Sequence, residues 1–106
     1  MLQGTVIRGT TPLHEFELPY PLEIIKEVRI AYGQNNKTIF IKTTEECEIE
    51  EGKLSVRLAQ EDTFSLRPGK KLYIEIRIKM VDDQVVRSEE PVVLRVIDTL
   101  DEEVMI

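Results

Sequence analysis

Tryptophan is absent from this chain of 106 residues, and cysteine and histidine occur once each, as Cys47 and His14. A single cysteine cannot close an internal disulfide, which fits a reducing compartment such as the inside of a cell. No apolar run approaches the ~20 residues that a membrane-spanning helix needs. The first residues lack the basic region and apolar core of a signal peptide. These absences predict a protein that is made in the cytoplasm and has no membrane partner.

The charge balance is acidic, with 20 acidic against 14 basic residues and a formal net charge of −6. Such a surface repels the phosphate backbone, so nucleic acid is not an expected partner. The densest acidic run, residues 45–51, contains enough carboxylates to raise the question of calcium. Strand alternation divides them between two faces, however, and no turn gathers them around an ion. We therefore expect a solvated edge there and no metal site.

The stretch from Leu72 to Met80 has the clearest periodicity in the chain, with apolar residues at every even position and polar residues or Tyr73 between them. Side chains of a β-strand point to opposite faces with a period of two, so this pattern is typical of a strand with one buried face. Weaker versions of the pattern recur along most of the chain, and helical periodicity appears over no useful length. The sequence therefore predicts an all-β fold.

Turn-forming residues separate the predicted strands at intervals of about 8–12 residues, which is typical of an immunoglobulin-like antiparallel β-sandwich. We expect about seven to eight strands on this basis. Without tryptophan and a second cysteine the chain lacks the disulfide and the tryptophan packed against it that occupy the core of antibody domains, so the strand topology is left open. The length fits a single domain over residues 1–106, with residues 98–106 as a C-terminal tail segment, here called the closing segment.

The Asp-Asp-Gln turn after the strongest strand predicts how the next strand pairs with it. A three-residue loop at this turn places Met80 opposite Val86 and Ile78 opposite Ser88, which keeps the even positions on the buried face. Pro91 cannot donate a ladder hydrogen bond, so it is expected on an edge strand or at a bulge.

The sequence lacks the residue arrangements that catalysis needs. His14 has no serine or cysteine nearby in sequence, so we interpret it as a partly exposed strand residue. Cys47 alternates toward the core between glutamates, which raise a thiol pKa, so we interpret it as structural. Phosphate loops, dinucleotide fingerprints, zinc spacings and nucleophile elbows do not occur. The sequence therefore predicts a protein that is not an enzyme, with no catalytic residues, no cofactor and no metal.

The closing segment ends on three apolar residues, Val104, Met105 and Ile106. One interpretation is a tail that folds back on its own domain, and the other is a docking segment that adds to the sheet edge of a neighbour. Burying three such side chains would contribute about 5 kcal/mol before the cost of ordering them. Tyr73, on the solvated side of its strand, is the remaining candidate for a partner contact.

Four segments together resemble a family of small proteins encoded in phages and prophages near tail or baseplate genes. They are Gly9–Pro19 with its strand and proline turn, Lys26–Gln34 ending in Tyr-x-Gln, Leu58–Phe64, and the acidic stretch Ile97–Val104. The third segment is similar to the motif Leu-Thr-Gln-Glu-Asp-Thr-Leu, with Ala59 and Phe64 as departures. The resemblance covers nearly the whole chain, and the order and spacing of the segments carry it.

The family is in turn similar to the immunoglobulin-like N-terminal domain of phage baseplate upper proteins. The resemblance implies a structural or assembly module that acts through protein contacts, present in the cytoplasm during assembly and then in the virion. It implies no catalytic residues, and whether the chain forms a homo-oligomer is left open. A carbohydrate- or host-surface-binding sandwich is the alternative.

From the residues alone, we expect Asp62 or Thr63 to cap the connector between two strands.

Overall fold

The computed structural model describes residues 4–106 and contains nine β-strands and one short α-helix in that range. In chain order these are β1 (Thr5–Ile7), β2 (Leu13–Glu17), β3 (Ile25–Gln34), β4 (Lys37–Thr43), β5 (Cys47–Glu50), β6 (Lys53–Arg57), α1 (Gln60–Phe64), β7 (Lys71–Met80), β8 (Val85–Arg87) and β9 (Val92–Ile97). Single turns of 3₁₀ helix precede β3 and β5, at Leu22–Ile24 and Thr44–Glu46.

The strands form two sheets that pack face to face as a sandwich. The larger sheet has the order β1–β9–β7–β3–β4, with β8 also paired to β7, and the smaller has the order β2–β6–β5. Every pair is antiparallel except β1 with β9, which run parallel. When β4 is counted as an extra edge strand, and β8 and β9 as one interrupted strand, the same division of the second, fourth and fifth strands from the third, sixth and seventh occurs in immunoglobulin sandwiches. The predicted all-β sandwich is confirmed, and the parallel pair is the departure from a wholly antiparallel arrangement.

The strand beside β7 is interrupted, which explains why nine strands occur where seven to eight were expected. Ile78 pairs with Val86 in β8, whereas Leu72 pairs with Leu94 in β9. The pairing with β7 therefore shifts by two residues between β8 and β9. The two additional residues lie in the stretch that connects these strands, which contains Pro91. Pro91 was expected on an edge strand or at a bulge, and it lies in neither strand but between β8 and β9.

The predicted pairing of Met80 with Val86 and of Ile78 with Ser88 is wrong by two residues. The loop does have three residues, but it is residues 81–83, because the Met80 amide donates to the Gln84 carbonyl at 2.8 Å. Moving a loop by one residue shifts the pairing by two and leaves the alternation of faces unchanged. The even positions of β7 and β9 therefore still face the core, as predicted.

The turn between β3 and β4 contains only two residues. Gln34 already pairs with Lys37, so only Asn35 and Asn36 lie between the strands, with φ of 53° and 61°. Two consecutive positive φ angles are the mark of a type I′ hairpin turn, and asparagine tolerates them better than most residues. The tight turn brings Gln34 into the ladder and buries its side chain.

The core lies between the sheets and is filled by inward positions of five strands (β1, β3, β6, β7 and β9), by the residue that follows β2, and by the segments that flank α1. Its buried apolar residues are Val6, Leu18, Val28, Ile30, Tyr32, Leu54, Val56, Leu58, Leu66, Leu72, Ile74, Ile78, Met80, Leu94 and Val96. Within residues 4–106, no helix is both long enough and apolar enough to cross a membrane.

Candidate interaction surfaces

His14 is half-buried between the sheets and bonds to Tyr32. The His14 Nδ1 atom lies 2.7 Å from the Tyr32 hydroxyl, and the two rings stack with centroids 5.7 Å apart. Burial lowers the pKa of His14 and raises the pKa of Tyr32. Both groups are therefore neutral at pH 7, and each meets the other's need for a hydrogen bond. The interpretation of His14 as a partly exposed strand residue is confirmed.

We expect the free energy of unfolding to fall as the pH drops below about 6.5, the pKa of a free histidine. Because burial holds the pKa of His14 below that value, the unfolded chain binds the proton first, and stability is lost as the pH falls toward the folded pKa. Urea unfolding from pH ~7.5 to ~5 measures this slope, above the range in which free carboxylates titrate. The variant His14→Gln should lose the slope; an equal slope in both proteins contradicts the assignment.

Cys47 and the acidic run around it have structural contacts. The pKa of Cys47 is raised by burial and then by Glu46, which is the opposite of an activated thiol and confirms the prediction. Glu46 accepts the Thr43 amide at 3.0 Å, and Glu51 accepts an amide of the turn before β3 at 2.9 Å. In the part of the chain that the structure describes, no group of three or more histidine, cysteine or acidic side chains converges as a metal site would.

The capping predicted for the connector is present at α1. The Asp62 carboxylate accepts the Ala59 amide at 2.8 Å, at the start of the helix. The hydroxyl of Thr63, which is fully buried, accepts the Gly9 amide at 2.9 Å and donates to the Thr10 carbonyl at 2.9 Å. These bonds fix α1 against the turn that follows β1, and so determine where Arg8 and Gln60 lie.

Arg8 anchors the start of the closing segment. Its Nη1 donates to Asp98 at 2.6 Å, and its Nη2 donates to Glu102 and to the Phe64 carbonyl, both at 3.1 Å. The guanidinium also lies over the Phe64 ring, 5.6 Å from the centroid. The hydrogen bond from Arg8 is the main reason that the pKa of Asp98 is below its usual value. Arg8 is 13% exposed, so the segment begins on a well-ordered cation.

Gln60, the first residue of α1, holds the far end of the closing segment. Its Nε2 donates to the Met105 carbonyl at 2.7 Å, and its Oε1 accepts the Met105 amide at 2.8 Å. One side-chain amide thus pairs with both backbone groups of Met105, as a residue of a neighbouring strand would. The role of this glutamine was not predicted from the sequence.

The closing segment lies against the domain with its apolar side chains turned outward. Val104 is 49% exposed, Met105 is 80% exposed, and Ile106 and Leu100 are fully exposed. The two interpretations of this segment are therefore compatible, because its backbone folds back while its apolar side chains stay available. That Val104, Met105 and Ile106 contact a partner stays a prediction.

We expect Gln60→Ala to release the end of the closing segment without unfolding the domain. The Met105 amide then loses its acceptor, so its hydrogen exchange should accelerate by roughly fivefold, as for a bond of about 1 kcal/mol. Exchange followed by NMR or mass spectrometry measures this, and the exposed neighbour variant Glu61→Ala is the matched control. Equal exchange in the two variants would show that Gln60 does not hold the segment.

Tyr73 lies on the outer face of the larger sheet and is 42% exposed, as predicted. Together with Ala31, Gly33, Asn36 and Lys37, it lines a shallow cleft of about 210 Å³. None of the residues lining this cleft belongs to the closing segment, so the structure separates the predicted contacts into two surfaces.

Three arginines form a row across the same outer face, here called the arginine row. Arg29 of β3 pairs directly with Arg77 of β7, which pairs directly with Arg87 of β8. Paired residues share a face, and neighbouring strands are about 5 Å apart. Arg87 donates to Glu75 at 2.6 Å, whereas neither Arg29 nor Arg77 has an acidic side chain of residues 4–106 within 4 Å.

Comparison with known proteins does not indicate a function for this chain. No family model, no curated protein and no solved structure matches the chain. Sequence reasoning predicted the exposed positions but did not detect Gln60 as a clamp or the arginine row, because both depend on which strands and segments become neighbours.

Proposed function

We propose that this protein is a non-enzymatic structural or assembly module of a phage or prophage tail or baseplate, acting through protein–protein contacts. The observation that carries the proposal is the closing segment, which is fixed by its backbone and acidic side chains and exposes its apolar ones. An ordered segment with outward apolar side chains suits binding to a partner by strand addition or by docking in a groove. The protein would be cytoplasmic during assembly and then part of the virion.

The segments that resemble the phage family have connected positions in the fold, which supports the proposal. Gln60, from the Leu-Thr-Gln-Glu-Asp-Thr-Leu-like segment, clamps Met105, and Asp62 from the same segment caps α1. Asp98 and Glu102, from the acidic closing stretch, bind Arg8. These segments thus contribute to one set of contacts that holds the closing segment in place.

Because the closing segment is already ordered, it can bind a partner at a lower cost in conformational entropy. A flexible peptide loses conformational freedom when it binds, at a cost of about 1–2 kcal/mol per residue for the backbone. Arg8 and Gln60 restrict the closing segment before any partner binds. The loss of conformational entropy on binding is therefore smaller, and more of the roughly 5 kcal/mol from burying its apolar side chains remains as binding free energy.

Binding to the tail proteins encoded beside this chain tests the proposal. A pull-down with purified neighbouring tail or baseplate proteins should retain the wild type. The triple variant Val104→Ser, Met105→Ser, Ile106→Ser should lose at least tenfold in affinity, as expected when about 2 kcal/mol or more is removed. Val81→Ser alters an equally exposed apolar residue elsewhere and is the control. No binding to any neighbour, together with absence from purified particles, counts against the proposal.

A carbohydrate- or host-surface-binding function is the second candidate, and the Tyr73 cleft favours it. An exposed aromatic ring beside amide, hydroxyl and amine side chains can stack on a sugar and bond to its hydroxyls. A glycan array with wild type and Tyr73→Ala tests this candidate. Binding that disappears in Tyr73→Ala but persists in Val85→Ala, a change elsewhere on the same face, supports it, and an array without any bound glycan removes it.

A further inference from the structure

The outer face of the larger sheet carries a charge opposite to that of the whole protein. Its outward strand positions include six basic residues, Arg29, Lys71, Arg77, Lys79, Arg87 and Arg95, and two acidic ones, Glu27 and Glu75. The face therefore has a surplus of four positive charges in a chain whose net charge is −6. This concentration of cations is the strongest electrostatic feature that the core, the hydrogen bonds and the closing segment leave unexplained.

The arrangement of these cations is unfavourable for the isolated domain. Arg29 faces Arg77, Arg77 faces Arg87, and Lys71 faces Arg95 in the registers of the sheet. Like charges directly opposite each other on neighbouring strands destabilise a sheet. An acidic partner would relieve this repulsion, and arginine is suited to the task because its planar fork binds carboxylates with two hydrogen bonds.

We propose that the arginine row binds the closing segment of a second copy of this chain, so that copies associate head to tail. The proposal deepens the proposed function, since it rests on the closing segment being a contact surface. Residues 98–106 include four acidic residues and no basic one. Asp98 and Glu102 bind Arg8, which leaves Asp101 and Glu103 at exposed positions with no basic side chain of residues 4–106 beside them.

The shape and chemistry of the row match a segment that mixes acidic and apolar side chains. Arg29, Arg77 and Lys79 line a shallow cleft of about 270 Å³ in which the three cations outnumber one carboxylate, Glu27, and Val85, which is 59% exposed, adds an apolar side chain to the same cleft. The closing segment offers carboxylates followed directly by Val104 and its apolar neighbours. Carboxylates can meet the arginines while an apolar side chain covers Val85, and both interactions then strengthen as water leaves.

The closing segment of the same copy does not reach the row. The Val96 carbonyl accepts the Gly69 amide, so the segment leaves the sheet at the end where β7 begins. Arg77 lies eight residues further along, roughly 25 Å at the rise of a strand. Because Gln60 holds Met105 near α1, the segment does not turn back over this distance. The row of one copy is therefore available to the segment of another.

Other pairings of two copies are less favourable. A symmetric dimer through this face would place one arginine row against another and add like-charge repulsion. The outer face of the smaller sheet is also acidic, but Lys53 bridges Glu15 at 3.2 Å and Glu50 at 3.8 Å and reduces its charge. Head-to-tail contact through the closing segment avoids both problems, and a contact of this type continues into rings or filaments.

Sedimentation velocity of the full chain tests the proposal. At low ionic strength, the wild type should show a concentration-dependent rise in sedimentation coefficient, and the association should weaken at least tenfold at ~0.5 M salt because exposed charges are screened. Arg29→Glu, Arg77→Glu should be monomeric at the same concentrations. Its melting temperature should be unchanged or higher, because the charge at position 77 then attracts Arg87 instead of repelling it, while positions 29 and 77 still carry like charges. A wild type that stays monomeric throughout overturns the proposal.

A charge exchange identifies the two halves of the contact. Asp101→Lys, Glu103→Lys should also be monomeric on its own, because its segment repels the row. Mixing it with Arg29→Glu, Arg77→Glu should restore association, since each protein then complements the other. Glu17→Lys, Glu48→Lys on the smaller sheet is the control and should associate as the wild type does. Association that survives the row variant, or a mixture that stays monomeric, overturns the proposal.

The two functional claims fail separately in these experiments. The pull-down measures binding to other tail proteins through Val104, Met105 and Ile106, whereas sedimentation measures binding of the chain to itself through the arginine row. Loss of self-association in a protein that still binds its neighbours rejects only the head-to-tail contact. Binding of the row to an acidic region of a different protein, with a monomeric wild type, likewise rejects the second copy as its occupant.

Discussion

Replacement of Tyr32 by alanine is expected to lower the free energy of unfolding by about 3–5 kcal/mol, the range for large aromatic residues in cores. Tyr32 is fully buried and its ring stacks on His14 from the smaller sheet and on Phe40 from β4, with centroids 5.7 Å and 4.5 Å apart. Its removal leaves a cavity at the contact between the two sheets and deprives His14 of its hydrogen-bond partner. A domain of this size has about 5–15 kcal/mol in total, so the variant will be close to unfolding at 37 °C.

Chemical denaturation of three variants separates the contributions of Tyr32. Tyr32→Phe keeps the ring and removes the hydroxyl, so it should cost only about 1–2 kcal/mol, the range for an unmet buried polar group. Tyr73→Ala removes a tyrosine that is 42% exposed and should cost less than about 1 kcal/mol. A cost for Tyr32→Ala as small as that for Tyr73→Ala would place Tyr32 outside the core and contradict the packing of the two sheets.

Replacement of Gln34 by leucine is expected to cost about 2–4 kcal/mol, because two backbone groups lose their partners inside the protein. Gln34 is 2% exposed, its Oε1 accepts the Arg67 amide at 2.8 Å, and its Nε2 donates to the Arg67 carbonyl at 2.9 Å. These bonds join the end of β3 to the turn before β7. Leucine has a similar volume, so the loss reports on hydrogen bonds rather than on a cavity.

Gln34→Glu gives a matched test of the same bonds. An ionised carboxylate can accept the Arg67 amide but cannot donate to the Arg67 carbonyl, so the variant should be less stable than wild type at pH 7. Burial raises the pKa of such a carboxyl above its unfolded value, so the stability of the variant relative to the wild type should increase as the pH is lowered through the folded pKa. Thermal melts at pH ~7 and ~4.5 measure the change. Equal stability of Gln34→Leu and wild type would show that the bonds contribute nothing.

The strands were predictable because their signal is local. The two-residue period of β7 and the apolar positions of β3 can be read from a few residues, and burial of one face is enough to produce them. The register of β8 was not predictable in this way. A shift by two residues keeps every side chain on its face, so the hydrophobic pattern is the same for both pairings. The position of the loop after β7, and the two additional residues between β8 and β9, determine which of the two pairings forms.

The candidate surfaces were predictable only in part, for a related reason. Exposed apolar residues in the closing segment and Tyr73 on a solvated face follow from composition and alternation. The pairing of Gln60 with Met105 depends on α1 and the closing segment becoming neighbours across 45 residues. The arginine row requires β3, β7 and β8 to lie side by side, and each arginine alone looks like any other solvated strand residue.

Photo-crosslinking from position 105 in assembled particles shows whether the closing segment is the surface through which this protein binds its partners. A photoreactive amino acid in place of Met105, which is 80% exposed, should crosslink to another protein or to a second copy with high yield. The same amino acid in place of Glu48, on the outer face of the smaller sheet, should not. Crosslinks from position 48 and none from position 105 would show that partners bind elsewhere on the protein.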